Sequence, residues 1–141
     1  MKKKLRKVIV KILSLCMIVC LFSCDSWEMK EYYSQKENYI EATGTLVHFK
    51  YNKNRTEIFL GFSDTTVTFD DYSFIIAGKS VQHVIDEGIK DKLKMGARVN
   101  FTVAPKYFGD GYAIPIVALS LGSEVILDFD TGYENLMEWL D

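Results

Sequence analysis

The chain has 141 residues, and the stretch 39–141 suffices for one hydrophobic core and not for two. Its 17 Lys and Arg and 19 Asp and Glu are unevenly placed: six cations and no anion lie in 1–23, leaving 11 against 19 beyond, a net charge near −8 that excludes a nucleic-acid binder. All three cysteines stand at 16, 20 and 24, which removes disulfides, cysteine metal sites and thiol nucleophiles from the remainder.

Lys2, Lys3, Lys4, Arg6 and Lys7 precede an apolar stretch over 12–22. That length suits the core of a signal peptide and falls short of the roughly 20 residues of a membrane span. Leu21-Phe22-Ser23-Cys24 then resembles the lipobox of bacterial lipoproteins, with Leu three before the Cys, a small residue just before it, and Phe22 at a position that is usually small. Leu15 and Val19 are too bulky to place the same cut before Cys16 or Cys20. The resemblance implies that 1–23 is a removed signal peptide and that Cys24 becomes a lipidated (diacylated, palmitate-type) N-terminus. The chain would then be held to the cell membrane on its extracytoplasmic face. The alternative is an ordinary secretory signal or an uncleaved anchor. Each buried methylene contributes about 0.8 kcal/mol, so one acyl chain holds reversibly and two hold firmly. Asp25 resembles the inner-membrane retention signal of cells with two membranes.

Residues 24–38 are polar, with Trp27, Met29, Tyr32 and Tyr33 as the large apolar side chains. They read as a lipid-anchored tether, or alternatively as a short helix at the membrane interface.

From Tyr39 to Phe49 β-branched and aromatic residues alternate roughly with others, Tyr51-Asn52-Lys53-Asn54-Arg55 supplies turn chemistry, and Thr56 to Phe62 is expected to return as a strand. Breaks at 63–66 and at Asp70-Asp71 precede an apolar strand over 72–77. Ser80 is the expected N-cap of a helix whose buried face is Val81, Val84, Ile85, Ile89 and Leu93, interrupted by Gly88 and ended by Gly96. Val99, Phe101 and Val103 share one side of a strand over 98–103. The glycine-flanked run 107–112 is a turn, and 113–121 returns as an apolar strand in which Pro115 argues for an edge or a bulge. A further strand over 124–129 follows. Thr131-Gly132-Tyr133-Glu134 has the form of a capping box, so a short amphipathic helix closes the chain.

The fold class is therefore mainly β with one or two helices. Three strands, a helix and two strands resemble the element order of the OB-fold, a five-stranded barrel, here over 39–141 with an extra strand and a C-terminal helix. Another small α+β barrel or sandwich is the alternative. Gly44 stands where a long first strand would bend around such a barrel.

Residues able to carry chemistry are sparse. His48 and His83 lack a third ligand at a recognisable spacing, no serine lies in a Gly-x-Ser-x-Gly context, and Asp70, Asp71 and Asp110 have no spacing that demands an active site. The acidic run 128–134 lacks calcium-loop spacing, its Gly falling fifth instead of sixth. No metal, cofactor or catalytic residue is assigned. In an OB-like barrel the loops between strands one and two and between strands four and five flank the usual binding face, so both are expected at the same end of the barrel. The first holds Tyr51, Lys53 and Arg55, the second Lys106, Tyr107 and Tyr112, tyrosines beside cations above an acidic body. The expectation is a non-enzymatic binding or interaction module at the cell envelope, taking a wall polymer, a peptide or an envelope protein. A structural subunit of an envelope complex or a small hydrolase is the alternative.

Overall fold

The computed structural model describes residues 3, 4, 7, 27–69, 73–106 and 113–141. The chain divides into two units, Met1–Tyr32 and Tyr33–Asp141. In the first, residues 27–32 are helical and Trp27 is exposed. Among the described residues no helix is long and apolar enough to cross a membrane.

The second unit opens with a 3-10 turn, Lys36–Asn38, and then runs β1 (Ile40–Asn52), β2 (Glu57–Ser63), β3 (Ser73–Ala77), α1 (Lys79–Asp86), α2 (Ile89–Lys92), β4 (Arg98–Val103), β5 (Ala113–Leu121), β6 (Glu124–Leu127) and α3 (Phe129–Leu140). The six strands form one sheet in the order β3-β2-β1-β4-β5-β6, and β3 also pairs with β5. The pairings among β1, β2, β3, β5 and β4 thus return on themselves. The β3–β5 pair is parallel and the other pairings are antiparallel.

Two strands serve two neighbours each, and both need a local device where the partner changes. β1 pairs with β4 over 40–45 and with β2 over 45–52. At the changeover Gly44 lies against Phe62, whose Cβ would stand 2.7 Å from any Cβ added there, and the register slips by one residue at Val47. β5 pairs with β3 over 113–115 and with β4 over 116–120. Pro115 is therefore buried inside the sheet and not on an edge strand, at the last residue bonded to β3, where β5 has one partner and a missing N–H is tolerated. The extra residue that the sequence suggested near it is Val117.

Alternation places Val99, Phe101 and Val103 inside, together with Leu46, Ile58, Leu60, Phe74, Ile76 and Ile114. Phe62 stacks on Phe101 at 4.3 Å between centroids, and Phe74 meets both rings. Val81, Val84, Ile89 and Leu93 join this core, with Ile85 packed at its margin, as the helical spacing required.

Both expected helix caps move. Gly78, at φ +63°, turns the chain off β3 so that α1 begins at Lys79. Ser80 is consequently inside the helix, buried, and its Oγ accepts from Asn135 Nδ2 at 3.1 Å. The strand expected over 124–129 stops at Leu127, and Asp128 caps α3 by accepting the Thr131 backbone N–H at 2.9 Å; Thr131 is already helical.

α3 packs on β5 and α1. The contact is closest at Gly132, where an added Cβ would lie 1.8 Å from the carbonyl oxygen of Val117, the bulged residue of β5. Residues 33–38 differ from the tether reading. Tyr33 is fully buried, its hydroxyl donates to the Lys106 carbonyl, and its own carbonyl accepts from Tyr39 Oη at 2.7 Å. Tyr133 Oη donates to the Ser34 carbonyl at 2.6 Å. Aromatic bulk with two long-range hydrogen bonds and one local one outweighs the polar composition that reads as linker.

Two stability outcomes follow from these contacts. Gly132→Ala gains about 1 kcal/mol of helix propensity but forces α3 off the Val117 carbonyl, and should lower stability by about 2–3 kcal/mol net in a urea melt. An unchanged or higher midpoint would show that the helix yields freely. Tyr33→Phe, which keeps the ring and removes the hydroxyl, should cost about 1 kcal/mol in the same melt.

Candidate functional site

The two loops singled out in the sequence leave the sheet at different places. The 53–56 turn joins Asn52 to Glu57 beside Ala77, the last residue of β3. The β4–β5 connection departs after Val103 beside Ile40 and returns at Ala113 beside Ser73, the first residue of β3. Their stems therefore sit at opposite ends of both β1 and β3, which corrects the expectation that they share one end. Strand direction and register decide this, and neither is visible in loop composition.

Tyr51 is half-buried and packed against the core, with Lys90 Nζ 4.4 Å from its ring centroid. Its ring thus already carries a cation from α2. Lys53 and Arg55 are exposed in the turn, where Asn52 Oδ1 accepts the Arg55 N–H at 3.4 Å and Thr56 adopts φ +53°. Lys106 is exposed while its carbonyl holds Tyr33. Tyr107 and Tyr112, like Cys24, Asp70, Asp71 and Asp110, lie outside the described residues. His48 is on β1 and His83 on α1, and among the described residues no three His, Cys, Asp or Glu side chains gather as metal ligands.

A concave feature of the fold lies elsewhere, on the outward face of β1, β4, β5 and β6. Registers align two rows of side chains across it. Glu41 lies opposite Thr102, and Thr102 opposite Ala118. Thr43 lies opposite Asn100, Asn100 opposite Ser120, and Ser120 opposite Val125. These are the alternate positions to the buried Ala42, Phe101 and Leu119, so the strand period that fills the core also builds the outer rows. Because the floor side chains are short, a groove of about 580 Å³ remains above them, closed at its sides by Thr66 and by Asp128 and Phe129 at the start of α3. That volume falls within the range of small-molecule sites, about 300–1,000 Å³.

Fixed geometry holds the walls. Thr43 Oγ1 donates to Asn100 Oδ1 at 2.8 Å, and among the described residues the Asn100 Nδ2 hydrogens have no acceptor. The Thr43 backbone N–H donates to Thr66 Oγ1 and its carbonyl accepts from the Thr66 N–H, both at 2.9 Å, tying the post-β2 loop to β1. Phe129 is held edge-on by Tyr39 at 5.5 Å and stacked on Tyr133 at 5.7 Å. Among the described residues, no Lys, Arg or His lines the groove. Its carboxylates are Glu41 and Asp128, and donation from Thr131, chiefly the backbone N–H, holds the Asp128 carboxyl below its ordinary pKa. Sequence reading missed this site. The available signal was the recurrence of Glu41/Thr43, Asn100/Thr102 and Ser120 at strand spacing opposite core residues, but only register makes them neighbours.

No family model, curated protein or solved structure matches the chain.

The Asp128 cap has a pH signature. With its folded pKa depressed, its contribution is present above the unfolded value near about 3.9 and is lost as pH falls through the folded pKa. Asp128→Ala should therefore cost about 1 kcal/mol at neutral pH and progressively less below about pH 4. Parallel urea melts of both proteins across that range provide the measurement, and a pH-independent difference would remove the carboxylate from the cap.

Proposed function

We propose that the chain is a lipid-anchored binding module on the extracytoplasmic face of a cell membrane, its second unit an OB-type barrel that presents the groove on β1, β4, β5 and β6 as its binding surface. The observation that carries the anchoring is Leu21-Phe22-Ser23-Cys24 at the end of a basic and then apolar leader. The barrel reading is supported by the pairing ring β1–β2–β3–β5–β4 and by helices between β3 and β4 whose apolar face joins the core. Binding is supported by a rigid, partly aromatic concavity built on strands, which position side chains better than loops do. An interaction role at the cell envelope follows, with a wall polymer, peptide or envelope protein as the partner classes.

The anchor arm is short. Eight residues separate Cys24 from Tyr33, where the second unit begins, so even fully extended chain spans only about 30 Å between them. The groove would work within a few nanometres of the lipid.

Cys24→Ala should abolish incorporation of a fatty-acyl label and release the protein from the membrane fraction. Retained labelling in that variant would reject the anchor.

A further inference from the structure

The groove offers ligand chemistry that its shape alone does not specify. Its floor is strand interior, with backbone groups engaged in the β1–β4–β5–β6 pairings, so what it presents to a ligand is side-chain chemistry. An extended peptide recognised through its backbone needs a free strand edge; the interior strands β4 and β5 offer none, and β6, which pairs with β5 alone, is only four residues long. An anionic polymer meets two carboxylates and no lining cation, which is repulsive throughout. A cationic ligand finds little hold: the Asp128 carboxylate is already engaged by Thr131, and exposed Glu41 is a single charge screened by salt.

What remains is a dense set of hydroxyl-compatible groups beside a ring. Thr102, Ser120 and Thr43 supply hydroxyl oxygens, Asn100 supplies free amide hydrogens, and Glu41 accepts. Members of a row on neighbouring strands are about 4.8 Å apart. Phe129, fixed between Tyr39 and Tyr133, provides an apolar side wall. Ligands whose own groups are hydroxyls able both to donate and to accept, set on a ring with an apolar face, are sugars.

Resting on the reading of this groove as the binding surface, we propose that it binds a neutral sugar chain, with Asn100, Ser120 and Thr102 hydrogen-bonding the hydroxyls and Phe129 packing against a sugar ring. The site lies on β1, β4, β5 and β6.

The test uses the full-length protein in detergent micelles on an array of neutral oligosaccharides of glucose, galactose, mannose and N-acetylglucosamine. Insoluble peptidoglycan stripped of its anionic polymers is included to separate free sugars from wall glycan as the source. Polyglycerol phosphate and a lysine-rich peptide serve as charged probes. The expected result is binding of at least one neutral probe that changes less than about twofold between about 0.05 and about 0.5 M salt. Asn100→Ala should weaken it about tenfold, and Ser120→Lys should abolish it by filling the groove, both with unchanged melting temperature. Absence of neutral binding at millimolar probe would overturn the proposal. So would salt-sensitive binding of the lysine-rich peptide alone, capture of polyglycerol phosphate alone, or neutral binding indifferent to both variants. Acyl labelling of Cys24 is read on the same preparation, so loss of the anchor and loss of sugar binding are told apart.

Discussion

The pairing of β3 with β5 is the constraint on which the rest of the structure depends, because it joins the two flanks of what is otherwise an open ladder of strands. Once those strands meet, β1 has to run from β4 to β2 and β5 from β3 to β4, and each crossing demands a local irregularity. Gly44 and the slip at Val47 serve β1; Pro115 and the extra residue at Val117 serve β5. The irregularity at Val117 in turn creates the surface onto which α3 settles, and the approach is so close that only glycine fits at 132. A closure on one side of the sheet thus dictates a residue type in a helix outside it.

The second dependence runs through tyrosine hydroxyls. Tyr33, Tyr39 and Tyr133 connect the start of the compact unit, the entry to β1, the β4–β5 connection and the C-terminal helix through three side-chain to backbone bonds. Tyrosine suits this because its ring fills space while its hydroxyl satisfies a carbonyl that burial would otherwise leave without a donor. Lys36 completes the cluster, its ammonium 4.9 Å from the Tyr133 centroid and 5.8 Å from that of Phe129. The same rings that fasten residues 33–39 also stiffen the aromatic wall of the groove.

In the groove the chemistry is shaped by what the sheet places outward. Short hydroxyl and amide side chains leave room and carboxylates set the sign, while Lys36 lies by the Phe129 wall, Lys90 over Tyr51, and Lys92 is paired with Glu124 at 2.7 Å. The arrangement is polar without being strongly charged.

The sequence by itself determined whatever depends on neighbours along the chain. The spans 98–103 and 113–121 coincide with β4 and β5, and Val81, Val84, Ile89 and Leu93 are buried as their spacing required, because burial of one face imprints a period on consecutive residues. The mainly β class and the order of strands and helices were legible for the same reason. Only the tertiary structure decided that β3 meets β5, that Ser80 and Thr131 yield their capping roles to Gly78 and Asp128, and that Tyr33 lies inside the compact unit. It also decided that Thr43, Asn100, Ser120 and Val125 form one row although their positions span more than half the chain. The physical reason is that periodicity records which side of an element is buried, whereas strand partner and register are fixed by contacts between residues far apart in sequence.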